Sequence, residues 1–292
     1  MADLKPVLKK MAESQGIKTL NLSVSGAATM IRYVSFPTMN EEELRQALKF
    51  EGQKHIPFAI ESVSLDSYIL KPDLPDNKML VLLVAVKKDA LSQRLKSIEE
   101  AGLKANIVDI DSIALINAFN FNYYQEKETL KNKAAALLNV GAAQSNLNII
   151  EGNIPRLSRD IFIAGNNFTQ KIADTLGIDF KAAEDLKVNP SNENAEKAVS
   201  AVESVLSGLA SEIRTSFDYY ESQCASSVIK IFLSGGGAKF PGLNGMLANL
   251  LGIDVEYWDP LKQINIARNL NAQDIKTLSA QLGVAVGLAL RR

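Results

Sequence analysis

The run Ile231-Phe232-Leu233 passes through Ser234 into three glycines, Gly235, Gly236 and Gly237, and Pro241 then offers a helix start. A chain with this segment has to contain a strand-turn-helix unit whose bend is bare backbone. Glycine at a bend serves two ends. It exposes amide N–H groups to an anionic ligand, and it lets two backbones pack with no Cβ between them. The spacing matches neither the dinucleotide fingerprint nor the phosphate loop that ends in Gly-Lys-Ser/Thr. On this segment alone, ligand site and packing site both stay open.

Around the bend, hydrophobic spacing alternates between helical and strand periods. Residues 4–15 read as an amphipathic helix ended by Gly16, followed by strands Thr19 to Val24 and Thr29 to Phe36. Asn40, with Glu43 three residues on, makes a capping box for a helix that reaches His55. Strands Ser62 to Leu70 and Met79 to Val86 flank a loop, Lys71 to Lys78; Asp89 then caps a helix that stops at Gly102. Residues 27–103 thus form an α+β module. A strand at Asn106 to Ile110 and a helix from Ser112 follow. Beyond Ala134 come strands Leu137 to Gly141, Asn146 to Glu151 and Pro155 to Ile163, then a helix through Leu176. The polar stretch Lys187 to Lys197 reads as a linker before a long helix, Ala198 to Gln223. Strand, helix and strand at 228–233, 241–251 and 253–257 precede a C-terminal helix, Leu278 to Leu290.

The 292 residues, 47% hydrophobic, are enough for two cores. A net charge of −1 gives no electrostatic reason to expect nucleic acid. Cys224 and His55 are single, which excludes an internal disulfide and Cys/His zinc sites and fits a reducing compartment. The N-terminus lacks the apolar segment of a signal peptide. Leu278 to Leu290 falls short of the roughly 20 residues of a membrane span and reads as a buried helix, with Gly283 and Gly287 allowing close packing on a sheet.

A second turn, Asn139 to Ser145, joins two strands and places amides and the Ser145 hydroxyl where a phosphate fits. A hairpin turn facing a strand-helix glycine turn on one sheet is the layout of the actin, Hsp70 and sugar-kinase superfamily. Within it the chain resembles the PilM family of type IV pilus assembly. The likeness rests on Phe36-Pro37 with Asn40 to Leu44, Phe50-Glu51 with His55 to Phe58, and Glu99 to Leu103. It extends to Arg159 to Ile161, Gly165-Asn166 with Thr169, Ser211 to Tyr220, the glycine turn and Gly287 to Arg291.

This resemblance implies an α/β, actin-like, two-lobed fold: a first lobe from 1–26 and 104–133, an inserted α+β subdomain at 27–103, and a second lobe at 134–292. It implies a cytoplasmic scaffold at the inner face of the membrane that binds the N-terminal peptide of a PilN-like membrane protein. Other pilus components are further partners, and the membrane is reached through the partner. The implied cofactor is ATP, placed by Gly235, Gly236, Gly237, Ala238, Gly141, Ala142, Ser145, Glu184 and Lys187. Against solvent, Glu184 and Lys187 also read as a plain i,i+3 ion pair.

Two departures bear on chemistry. The strands and the aspartate-bearing phosphate turn with which the family opens have no counterpart before Gly16, so half of the phosphate clamp is expected to be missing. Asn139 stands where the superfamily has an aspartate, which removes a charge that would hold Mg²⁺ or orient water. Nucleotide binding is expected to outlast hydrolysis. With one histidine and no Gly-x-Ser-x-Gly elbow, no residue is assigned a catalytic role. The competing readings are an ATPase or kinase of the same superfamily and an FtsA-like division protein, the latter calling for a C-terminal amphipathic membrane helix.

Overall fold

Met79 to Val86 is apolar without interruption because it lies in a central strand. In the computed structural model, which describes residues 5–123, 133–189, 192–224 and 226–291, this strand, β4 (Lys78–Lys87), pairs antiparallel with β2 (Thr29–Pro37) and β3 (Val63–Leu74). Helix α2 (Glu41–His55) covers one face, setting Leu44 and Leu48 on Phe36, Met79, Val81 and Leu83. Its capping box forms as expected: Glu43 N–H donates to Asn40 Oδ1 and Asn40 N–H to Glu43 Oε2, each at 2.9 Å. The expected loop from Lys71 to Lys78 is shorter in fact. Asp76 and Asn77 take left-handed backbone (φ 61° and 54°), so three residues suffice to turn the chain.

The chain divides into two compact units, Met1–Asp111 with Arg291–Arg292, and Ser112–Leu290. The first also holds α1 (Lys5–Gln15), β1 (Thr19–Val24), α3 (Lys88–Glu100) and β5 (Lys104–Ile110). β1 and β5 pair in parallel, and α1 and α3 pack on them through Leu8, Ala12, Leu95 and Ile98. Two expectations change here. Asp89 lies inside the first turn of α3 and binds the neighbouring Ala90 N–H at 2.7 Å, while Lys87 occupies the cap. And α3, assigned by sequence to the inserted module, buries Leu95 and Ile98 with β1 and β5.

The second unit is built on a five-stranded sheet in the order β10-β9-β6-β7-β8. β6 (Ala134–Val140), β7 (Ser145–Glu151) and β8 (Ile154–Ile161) form an antiparallel meander; β9 (Val228–Ser234) and β10 (Asp254–Tyr257) run parallel to β6. One face carries α5 (Gly165–Leu176), α6 (Phe180–Val188), α7 (Asn192–Cys224) and α8 (Leu243–Leu251), around Leu138, Leu147, Phe168, Val202, Leu209 and Leu233. The other carries α4 (Asp111–Asn122) and α10 (Gly283–Ala289), with Leu115, Phe119 and Trp258 on Leu137, Ile150 and Phe232. Leu115 and Phe119 pack there, and the division into compact units falls after Asp111. Part of the expected segment 106–133 lies outside the described residues.

Further differences concern helix ends. The stretch expected as a linker is largely helical, since α6 runs to Val188 and α7 starts at Asn192. The expected helix Leu278 to Leu290 is instead a 3-10 turn at Ser279–Gln281 followed by α10, and a separate helix, α9 (Ala272–Leu278), precedes it. Gly283 and Gly287 face a helix and not a sheet. A Cβ on Gly287 would sit 1.8 Å from the Ala114 carbonyl oxygen. On α7, Tyr220 is core and its neighbour Tyr219 is exposed.

Candidate functional site

The glycine bend and the hairpin turn meet because β9 lies beside β6, with Ser234 level with Asn139. Gly235 has φ +97°, and a Cβ there would lie 2.2 Å from Val140 O. One on Gly237 would meet Val140 Cγ1 at 2.6 Å and Gly141 O at 2.9 Å. Both glycines are therefore demanded by the chain's own backbone. Gly236 differs: it is exposed, and its nearest neighbour is Gln281 Cγ at 3.7 Å. The break before α10 serves this bend, since it frees the Ala280 carbonyl to accept the Gly235 N–H at 2.6 Å.

The N-terminus of α5 docks on the hairpin turn. Gly165 N–H donates to Gly141 O at 3.0 Å and Asn166 N–H to Ala142 O at 2.7 Å, so amides that a helix end would otherwise present to an anion are engaged. A Cβ on Gly165 would lie 3.1 Å from Gly141 O, and 3.5 Å from both Gly237 Cα and Lys187 Nζ. Three elements converge on this one residue. Lys187 donates to Glu184 Oε2 at 2.7 Å, Thr169 Oγ1 at 2.8 Å and Gly165 O at 3.2 Å. Thr169 in turn bonds Glu184 and the Gly165 carbonyl. Burial pushes the Glu184 carboxyl up, but the Lys187 ammonium and Thr169 hydroxyl outweigh it and hold the group below the usual carboxylate range.

The structure thus gathers Gly141, Ala142, Gly235, Gly236, Gly237, Glu184 and Lys187. Two residues assigned with them point elsewhere. Ser145 is fully buried and donates to Ile163 O at 2.7 Å, tying β7 to the loop after β8. Ala238 lies in the core, its carbonyl accepting the Tyr257 hydroxyl at 3.0 Å. The groups left facing outward are the amides of Ala142, Ala143 and Gly236, which donate to nothing among the described residues. Gly165 and Thr169 join the constellation from the segments that carried the family likeness. Their i,i+4 spacing on α5, opposite the i,i+3 pair on α6, was the available signal.

Asn139 is part of a relay. Its Nδ2 donates to Asn146 Oδ1 at 3.2 Å, Asn146 Nδ2 donates to Asp160 Oδ1 at 2.6 Å, and Ser234 Oγ reaches Asn139 Oδ1 at 3.4 Å. The amide is fixed by acceptors and donors of its own sheet.

A family model described as type IV pilus assembly protein PilM matches residues 1–292. The chain belongs to the PilM family. Among solved structures, the PilM-PilN type IV pilus biogenesis complex matches it with TM-score 0.86 at 25% identity, over 99% of this chain and 84% of that chain. The ethanolamine utilization protein EutJ from Carboxydothermus hydrogenoformans shares the fold at TM-score 0.51 and 16% identity, over 70% of this chain and 61% of that one. The PilM-family chain has the actin-like fold: a three-strand meander extended by two parallel strands, with helices on both faces, carries the second unit. Among the described residues no helix is long and apolar enough to cross a membrane.

Proposed function

We propose that this PilM-family chain is an actin-like scaffold of type IV pilus assembly that takes the N-terminal segment of a PilN-like inner-membrane protein in extended form. The observation that carries this is the match along 99% of the chain to a PilM–PilN complex. An extended peptide suits the first unit, because β2 and β3 are the outer strands of their sheet and can offer backbone bonds to an added strand. The scaffold works on the cytoplasmic side and is held at the membrane by its partner.

In the same reading the second unit holds the adenosine side of ATP. The constellation at Gly165 supports this, with the outward amides of Ala142, Ala143 and Gly236 as donors and the Glu184–Lys187 pair beside them. Turnover is not part of the proposal: Asn139 carries no charge for Mg²⁺, and Glu184, held by Lys187 and Thr169, is not poised as a base.

Calorimetry with the N-terminal peptide of a PilN-like protein tests the first claim. Saturable heat is expected, and none from a folded sample would sink it. Adding ATP or ADP with and without Mg²⁺ tests the second, where binding without appreciable hydrolysis is expected. Robust Mg²⁺-dependent turnover would move the protein to the ATPase reading.

A further inference from the structure

Serine and threonine on a helix can return their hydroxyl to the carbonyl one turn back. Ser97, Ser207, Thr215, Ser216 and Thr277 do so here. Thr175 on α5 and Ser200 and Ser204 on α7 do not, as Ser92 and Ser211 elsewhere do not; they hydrogen-bond to nothing among the described residues. Thr175, Ser200 and Ser204 line one shallow, open groove of about 420 Å³ between α5 and α7, whose other walls are Lys171, Lys197, Leu176 and Ala201. Among the described residues the lining contains no carboxylate and neither lysine has an ion-pair partner. None of these residues belongs to the constellation at Gly165.

Among the described lining residues, two ammonium groups and three hydroxyls supply donors and no carboxylate opposes them. A phosphoryl group fits that set, since it carries two negative charges and oxygens that accept several bonds at once. The volume exceeds what one phosphate fills, and Leu176 with Ala201 adds an apolar floor for the group that bears it. We propose that this groove binds a small organic phosphomonoester, with Lys171 and Lys197 supplying charge and Thr175, Ser200 and Ser204 supplying oriented donors.

The test titrates phenyl phosphate and inorganic phosphate, at constant ionic strength, into the isotope-labelled full chain and into the Lys171→Gln/Lys197→Gln variant, with circular dichroism as the check on folding. Lys197 is exposed and Lys171 half-buried, and neither belongs to a core cluster, so the variant is expected to fold. Phenyl phosphate should give saturable amide shifts at Thr175, Ser200 and Ser204. Its affinity should fall at least about tenfold in the double variant, the equivalent of about 1.4 kcal/mol. Inorganic phosphate should bind more weakly, lacking contact with the floor. Linear, unsaturated shifts, equal affinity in the variant, shifts confined to Gly165 and Gly236, or inorganic phosphate binding as well as the ester would each overturn the assignment.

Discussion

The three glycines of the bend have different tasks, and substitution separates them. Gly235→Ala adds a Cβ 2.2 Å from Val140 O in a backbone that side chains avoid, so it should lose on the order of 2–4 kcal/mol in denaturant unfolding. Gly236→Ala meets nothing closer than Gln281 Cγ at 3.7 Å, an ordinary contact, and should stay within about 0.5 kcal/mol of wild type. If nucleotide approaches this backbone, Gly236→Ala will weaken binding while the fold stands; unchanged affinity would remove Gly236 from the site. Asn139→Asp sets an acceptor against Asn146 Oδ1, and turning the Asn146 amide to suit it would break the bond to Asp160. A cost of about 1–3 kcal/mol is expected, so restoring the superfamily's charge by this change alone should lower the melting temperature. For Glu184 the sign follows from its depressed carboxyl. Its contribution is whole above the ordinary carboxylate range and vanishes as pH falls through the folded value. Urea midpoints measured from pH 7 down to about 3 should drop less steeply in Glu184→Gln than in wild type. Parallel curves would refute the role given to the Lys187–Thr169–Glu184 network.

At the scale of elements, helix α10 depends on one absent side chain. A Cβ on Gly287 would meet Ala114 O at 1.8 Å and Ala114 C at 2.3 Å, which no rotamer adjustment relieves. Gly287→Ala should therefore drive α10 off α4 and cost about 2–4 kcal/mol; a melt within error of wild type would show that the contact is slack. The elements also show what could be read in advance. The Asn40 box, the apolar β4 and the two turns were legible because their signals are local: a cap three residues from its partner, an unbroken apolar run, glycines at a bend. The helical start of α7 was not, since a stretch rich in Asn, Glu and Lys has the composition of a linker whether or not tertiary packing recruits it. Nor was the break at Ser279–Gln281. It exists to lend the Ala280 carbonyl to Gly235, a partner 45 residues earlier that no helical period announces. Likewise Ser145 reads as a phosphate contact until its acceptor, the Ile163 carbonyl, is in view.

The whole molecule consists of two units with separate cores, and its single tryptophan, Trp258, belongs to the second. Tryptophan emission therefore reports that unit alone, while far-ultraviolet circular dichroism reports both. The two unfolding curves should not superimpose, and coincidence within error would argue for one cooperative transition. The packing of Gly235 and Gly237 on Val140 has a broader consequence. A lineage that stopped using nucleotide would still be unable to replace those glycines, because the sheet could not close over a side chain. Their persistence in descendants is then a record of assembly and not of chemistry. Counting such bends across genomes would overcount nucleotide users, and positions like Gly236, which the fold leaves at liberty, are where disuse would first leave its mark.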